Sequence, residues 1–498
     1  MRRSTWAVTC SIRTLILIAG VVLALSVCWS VPAYAHHLQK GATTDLPVTT
    51  SSAKARELYD KGVADLENLY KDRSNDDWRA AVKEDPSFGL AWARIAFHSS
   101  NPQEASAARA KAKELAPKTS PGEQLMVAWI VKVQEGDFIG GIESMNDLLE
   151  LYPHDKHLLY FCGDWLMGEK NIDYALRMFE KALAIDKNFP PALNELAYAY
   201  ARNGDFAKAF PPMDRYVALL PKEPNPQDSY GELKRMAGDF QGALDHYRAA
   251  LRLDPDFVSS QVGLADTYAL MGDQGQARAE YDKAIRFAHN EADRLSYSMQ
   301  RAMTYVRDGN YAEADKEYQE IAATAHAKEH DLQEAEAYRQ MAEYQADDNA
   351  ALRYLKLAEE ALHHLAAISP GDRDEEMSRI LRHRAVRAAR AGNQTLADQS
   401  LAQLQAMAED SRNRVIQSSY QGAAGALLMQ QKKYEEAIAH LEEDQSNPFT
   451  MELLVQAYYQ TLDTEKLHEV EARLRGTNVP TMEQALVVPA LRAKQPNM

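Results

Sequence analysis

A unit of 34 residues recurs five times in the middle of this chain of 498 residues. Each unit has a short turn, then a small residue, and then a large apolar residue at fixed distances. The turns begin at Gly136, Lys170, Gly204, Gly238 and Gly272. A fixed period of this length is typical of a solenoid, in which each unit buries its apolar face only by stacking on its neighbours.

Each unit has the spacing of two helices joined by a tight turn. In one unit, Leu193, Leu196 and Tyr200 follow the intervals of three and four residues that mark one helical face. Gly204 then favours the left-handed conformation that ends a helix, and Asp205 can cap the next helix. The pattern therefore predicts an all-α fold built from antiparallel helix pairs.

The pattern resembles the tetratricopeptide repeat family. The shared features are a large apolar residue followed by a small one, the Gly-Asp turn, and a proline near the end of the unit. They occur at Leu196-Ala197, Tyr230-Gly231, Leu264-Ala265, Pro153, Pro221 and Pro255. The resemblance implies an α-solenoid, a superhelix of about ten or eleven repeats.

The regularity of the pattern divides the chain into segments. A regular array is predicted over 53–287 and degenerate repeats over 288–479, where the spacing becomes longer and variable. The spacing leaves open whether these later repeats continue one superhelix or form a separate segment. Residues 480–498 lack the repeat and predict a C-terminal cap or tail. Residues 36–52, rich in Thr and Ser, predict a flexible linker.

The first 35 residues have the pattern of a secretory signal peptide. Arg2 and Arg3 precede an apolar run from Leu15 to Val27, and small residues follow it up to Ala35. This pattern predicts cleavage after Ala35, a periplasmic or secreted location, and no integral membrane segment in the mature chain. A signal retained as an anchor is the alternative, although the run is short for a membrane span.

The chain is acidic, with a formal net charge of −16. Loss of the signal peptide removes Arg2, Arg3 and Arg13 and makes the charge three units more negative. This charge argues against nucleic acid and anionic lipid as main partners. It is compatible with a basic protein or peptide.

One string of residues has a catalytic pattern, His326-Ala327-Lys328-Glu329-His330. On a helix, histidines four residues apart can bind one metal ion, with Glu329 as the base. A metal-dependent hydrolase is therefore an alternative. No phosphate-binding loop, nucleophile elbow or CxxC pair is present. The main expectation is a protein that is not an enzyme, with no cofactor and no metal. Cys162, the one cysteine after the leader, is expected to be a buried apolar residue.

The family resemblance also implies where a ligand binds. In this family the first helices of successive repeats line a concave groove, and fixed positions on them contact the ligand. Carried over by position, the predicted peptide-binding residues are Tyr160, Asp164, Asn194, Tyr198, Arg202, Asp228, Glu232, Arg235 and Asp266. This mixture of tyrosine, arginine, asparagine and acids suits an extended or helical peptide, and the acids favour a basic one.

The sequence thus predicts an exported, non-catalytic scaffold or adaptor that binds a protein or peptide segment in its groove. Two alternatives besides the hydrolase stay open. The chain could serve as an assembly factor for cell-envelope or secretion components. It could also be a structural solenoid that associates with itself, since repeat arrays with poorly capped ends can stack.

Overall fold

The structure, a computed structural model, describes residues 45–68, 70–363 and 367–494. Within these ranges the chain forms 25 α-helices and two short 3₁₀ helices, with no β-strand. The predicted all-α fold is therefore confirmed. The predicted signal peptide and cleavage site lie outside the described residues.

The helices follow one another with short connections throughout. Their bounds are α1 Ala53–Glu67, α2 Lys71–Glu84, α3 Gly89–His98, α4 Pro102–Leu115, α5 Pro121–Gln134, α6 Phe138–Leu151, α7 Lys156–Gly168, α8 Ile172–Ile185, α9 Pro190–Arg202, α10 Phe206–Leu219, α11 Pro224–Met236, α12 Phe240–Leu253, α13 Val258–Met271, α14 Gln274–Phe287, α15 Glu291–Arg307, α16 Tyr311–Ala327, α17 Asp331–Tyr344, α18 Asp348–Ala361, α19 Pro370–Arg390, α20 Gln394–Asp410, α21 Arg414–Gln430, α22 Tyr434–Leu441, α23 Pro448–Thr461, α24 Thr464–Arg475 and α25 Met482–Ala493.

Helices α1 to α24 form twelve pairs, each packed along its length, and consecutive pairs stack on one another. From α7 to α23, the first helix of each pair also contacts the first helix of the next pair. No comparable contact joins the second helices of consecutive pairs in the described ranges. The array is therefore a solenoid whose first helices line the inner, concave side.

The repeated turn has one backbone geometry. The residues that open it have positive φ, from 56° at Lys170 to 91° at Gly272. Glycine adopts this left-handed conformation without steric cost, which explains its recurrence. The next residue is usually an acid such as Asp205, whose side chain accepts a hydrogen bond from the N–H of Lys208 and caps the second helix.

The core follows the small and large positions of the repeat. Ala175, Ala209, Ala243 and Ala277 are completely buried. The large residue four positions later in each second helix, such as Tyr281, is also buried. The pattern thus places close helix contacts where side chains are small and fills the space between them with aromatic rings.

The later repeats continue the same array. Every pair from α15/α16 to α23/α24 stacks on the pair before it. Several of these helices are longer, with 17 residues in α15, α16, α20 and α21, and 21 residues in α19. Longer helices explain the wider spacing in the sequence. The twelve pairs exceed the ten or eleven predicted, because degenerate units are harder to count by sequence than by structure.

Residues 45–52, called here the N-terminal segment, lie along the starts of three successive helix pairs. Its hydrogen bonds join Leu46 N–H to Asp155 (2.8 Å), Thr49 N–H and hydroxyl to Glu123 (2.7 and 2.6 Å), and Thr50 hydroxyl to Asp85 (2.6 Å). Burial raises the pKa of Asp85, but hydrogen bonds from Ser87 and Thr50 outweigh it and lower the pKa to about 2. The predicted flexible linker over 36–52 therefore does not hold for residues 45–52. From composition alone, the polar groups of these residues were expected to contact solvent. The carboxylates that bind them lie far away in the sequence and could not be identified.

The first helix pair reaches the middle of the array. The Tyr70 hydroxyl donates a hydrogen bond of 3.4 Å to Glu223, before α11, and its ring meets Phe257 edge-on at 6.1 Å. The Asn290 amide, before α15, donates a bond of 3.2 Å to Asp72. The solenoid therefore curves far enough for its first pair to contact the residues that cap α11, α13 and α15, in the fifth to seventh pairs after it.

The C-terminal helix α25 also packs against the middle of the array as well as against its end. It contacts α15, α17, α23 and α24. The Arg307 guanidinium donates a bond of 2.7 Å to Gln484, and the Asn478 amide donates one of 3.2 Å to the carbonyl of Met236. None of the helices in the described ranges is long and apolar enough to span a membrane.

Candidate functional site

Four consecutive first helices bring carboxyl groups together on the inner side of the solenoid. Helices α7, α9, α11 and α13 carry the acidic face, defined as Asp164, Glu195, Asp228, Glu232 and Asp266. Asp164 is exposed to solvent, Glu195 and Glu232 are half-buried, and Asp228 and Asp266 are buried. The solvent exposure of the acids thus decreases from α7 to α13.

The inner part of the acidic face is held by internal hydrogen bonds. Arg235, 4% exposed, forms ion pairs with Asp266 and with Glu232, the latter at 2.9 Å. Tyr281 donates a bond of 2.5 Å to Asp266, and Tyr198 donates one of 2.9 Å to Glu232. Arg235 therefore links Glu232 of its own helix to Asp266 of the next first helix.

Two carboxyl groups of the acidic face, those of Glu195 and Asp228, have raised pKa values. Burial, followed by the charge of Asp164, raises the pKa of Glu195 to about 8, although Arg202 and Lys71 act against the shift. Burial also raises the pKa of Asp228 to about 7, although Ser260 donates a bond of 2.6 Å to its carboxylate. Burial is the main cause of both shifts, because a low-dielectric environment disfavours the ionised carboxylate.

The nine predicted groove residues all lie on the first helices α7, α9, α11 and α13, but they differ in access. Asp164 and Arg202 are exposed, Tyr198 and Glu232 are half-buried, and Tyr160, Asn194, Asp228, Arg235 and Asp266 are buried. The structure therefore does not present Arg235 as a free anchor for a ligand, because Asp266 and Glu232 already hold its guanidinium. Sequence position alone could not distinguish an inward contact between neighbouring repeats from a contact with a ligand.

Two important residues were missed by the sequence analysis. Glu195 lies three residues before Tyr198 and seven before Arg202, so helical spacing could have placed it on the same face. Lys71, in α2, influences the pKa of both Asp164 and Glu195. No local pattern could have indicated Lys71, because the curvature of the whole array brings it there.

Asn194 contributes an unused acceptor beside the acidic face. It is 3% exposed, and its side-chain N–H donates a bond of 3.2 Å to Glu195. Within the described residues its carbonyl oxygen accepts no hydrogen bond. A buried acceptor without a donor is unfavourable, so this oxygen lowers the stability of the fold locally.

The histidine string does not form the helical metal site considered from the sequence. Helix α16 ends at Ala327, Glu329 has a left-handed φ of 59°, and His330 precedes α17 as its N-cap. The helix break removes the four-residue spacing on one face, and His326 instead contacts Glu334 at 3.0 Å. In the described ranges, no group of three or more His, Cys, Asp or Glu side chains is arranged to hold a metal ion.

Cys162 is completely buried in α7, as expected from its position. Burial and, to a smaller extent, the charge of Asp155 raise the pKa of its thiol well above the usual range. A thiol in this state is a packing residue rather than a nucleophile.

The fold and the arrangement of its inner face define an all-α helical-repeat solenoid. Two sequence models of the tetratricopeptide repeat match this chain, over residues 178–210 and 234–301. These matches support the predicted family resemblance over the most regular units.

The chain is similar to several known proteins. The chain is 22% identical over 178 residues to the TPR repeat-containing protein YpiA of Bacillus subtilis, covering 36% of this chain and 41% of that protein. It is 32% identical over 97 residues to the photosystem I assembly protein Ycf3 of Acaryochloris marina, covering 18% and 57%. Yeast Tom70 is similar in structure, with 16% identity, a TM-score of 0.42, and coverage of 82% and 96%. This chain therefore spans less than two thirds of these two sequence relatives, and the similarity to Tom70 concerns the fold alone.

Proposed function

We propose that this protein is a non-catalytic scaffold that binds a basic segment of a partner protein on the acidic face. The observation that carries this proposal is the excess of carboxyl groups around Glu195, whose pKa is about 8. A lysine or arginine side chain placed among these acids would stabilise their ionised form.

The binding of a basic peptide should tighten as the pH rises. Glu195 and Asp228 are largely protonated below their pKa values of about 8 and about 7, and a cation attracts only the ionised forms. The affinity of a lysine-containing peptide should therefore increase between pH 6 and pH 8.5, with release of protons. Titration calorimetry in two buffers with different ionisation enthalpies measures both effects.

A variant of the acidic face and a control variant elsewhere on the surface test where the peptide binds. The double variant Asp164→Asn/Glu195→Gln should weaken the lysine peptide roughly tenfold or more, or about 1.4 kcal/mol, in the range of a binding hot spot. The control Asp245→Asn removes an exposed acid from the second helix α12 and should leave the affinity unchanged. Equal affinity for a peptide with glutamine in place of lysine would refute the proposal.

We also propose that the protein works after export, in a periplasm or in the extracellular space. The leader of residues 1–35 supports this proposal, since its basic start, apolar run and small-residue end are those of a cleavable signal. The intact mass of protein from the native cell envelope should correspond to a chain that begins at His36. A full-length mass in the cytosolic fraction would contradict export.

A further inference from the structure

The turn between α1 and α2 lies across the starts of several later first helices. The tip of the first pair is defined here by four residues of this turn, Glu67, Tyr70, Lys71 and Asp72. Glu67 forms an ion pair with His157 at the start of α7. Tyr70 contacts the residues that cap α11 and α13, and Asp72 accepts a hydrogen bond from the residue that caps α15. The tip therefore bridges the concave side of the solenoid from α7 to α15.

The side of α7 that the tip meets also carries an acid of the acidic face. His157, Tyr160 and Asp164 follow each other at intervals of three and four residues, so they share one face of this helix. The ring of His157 also meets Phe189, the N-cap of α9, edge-on at 5.1 Å, and α9 carries Glu195. The contact of the tip with α7 thus lies beside both of the acids at the outer part of the acidic face.

The charge of Lys71, within the tip, acts on both of these acids. The carboxylate of Asp164 reaches solvent, yet desolvation by the surrounding protein raises its pKa, and Lys71 followed by Arg202 acts against this shift. Lys71 opposes the rise in the pKa of Glu195 in the same way. Lys71 is exposed, and among the described residues it takes part in no direct ion pair. Its ammonium therefore favours two carboxylates from a distance instead of neutralising one of them in a fixed pair.

The contacts that hold the tip in place are few and partly exposed. The side chain of His157 is 46% exposed, and the bond from Tyr70 to Glu223, at 3.4 Å, is long for a hydroxyl donor. Exposed polar contacts of this kind contribute little to stability. The packing of α1 on α2, and of α2 on α3, does not depend on them. The tip can therefore leave the concave side while the first pair stays folded.

We propose that the tip of the first pair is an autoinhibitory gate of the acidic face, in which Lys71 holds the place that a basic side chain of the partner takes. Two cations beside the same two carboxylates, Asp164 and Glu195, repel each other. Binding of a basic segment and docking of the tip therefore exclude each other, and the partner binds the molecules in which the tip has been released. This inference rests on the proposed function, because it concerns access to the same acids.

Release of the tip should strengthen the binding of the lysine-containing peptide to the full mature chain. Lys71→Ala should raise the affinity about threefold or more, because a larger fraction of the molecules is open to the peptide. Tyr70→Ala/Asp72→Asn, which removes the contacts with the caps of α11, α13 and α15, should act in the same direction. The control Lys83→Ala removes an exposed lysine from the other end of α2 and makes the same change in net charge, so it should leave the affinity nearly unchanged. Titration calorimetry measures all four proteins.

Hydrogen exchange gives a second readout in the parent protein. Amide exchange at the start of α2 should become faster when the peptide binds, because the tip loses its contacts. Slower exchange there would overturn the gate, since the tip would then close over the peptide.

The affinities separate failure of the gate from failure of the proposed function. If Lys71→Ala binds the peptide no more tightly than Lys83→Ala, while binding still requires Asp164 and Glu195, the gate is wrong and the proposed function stands. If neither the parent nor Lys71→Ala binds the peptide, the proposed function is refuted and the gate with it.

Discussion

Replacing Arg339 with methionine should destabilise the protein by about 3–5 kcal/mol, the usual cost of leaving buried carboxylates without their partner. Arg339, in α17, donates bonds of 2.5 Å to Glu343 and to Glu376. The side chain of Glu343 is completely buried and that of Glu376 is 4% exposed. Both carboxylates lie at the contact between α17 and α19.

The loss should grow with pH. Burial, followed by the charge of Glu483, raises the pKa of Glu343 to about 8 even in the presence of Arg339. A carboxyl group with a raised pKa in the folded state favours folding at low pH, and this advantage disappears as the pH rises to 8. Without Arg339, ionisation of Glu343 becomes less favourable still. The difference between variant and parent should therefore be larger at pH 9 than at pH 6.

Chemical denaturation at both pH values measures this prediction, and hydrogen exchange in α17 localises it. Arg379→Met is the matched control, because Arg379 also pairs with Glu376 but its side chain is 37% exposed. Exposed ion pairs contribute about 0–1 kcal/mol, so the control should lose little. A comparable loss in both variants, or a loss that does not depend on pH, would contradict the interpretation.

The features of the fold that could be predicted from the sequence are those that depend on contacts within one repeat. The left-handed turn at Gly204, the cap at Asp205 and the buried alanine at Ala209 all depend on neighbours fewer than 34 residues away. These features recur in successive units, so the repetition makes them easy to recognise in the sequence. The helix pairs could for this reason be predicted in detail.

The features that the sequence did not predict depend on curvature. Lys71 approaches Asp164 only because the array turns back on itself, and the contact of Leu46 with Asp155 joins residues 109 positions apart. Burial within the predicted groove has the same origin. Asp164 and Asp266 occupy the same position in the repeat, yet the first is exposed and the second is buried.

Replacing Gly163 with alanine should cost about 1–3 kcal/mol, the usual range for forcing extra volume into a packed interior. A Cβ atom at Gly163, in α7, would lie 2.4 Å from the ring of Phe179 in α8, far inside van der Waals contact. Phe179 is itself completely buried, so any shift of its ring disturbs the surrounding core. The sequence pattern marks this position only as small, since Ala197 and Ala265 occupy it in other units.

Gly168→Ala, in the same helix, should increase the stability of the protein instead of lowering it. No atom lies within 4 Å of a Cβ at Gly168, and its φ is not positive. Alanine there should stabilise the protein by up to about 0.5–1 kcal/mol through its higher helix propensity. The variant Gly163→Ala/Phe179→Leu should recover part of the first loss, because the smaller side chain makes room for the methyl group. The denaturation midpoints of the three variants measure these changes in stability. If Gly163→Ala is as stable as Gly168→Ala, α7 and α8 lie further apart than the structure places them.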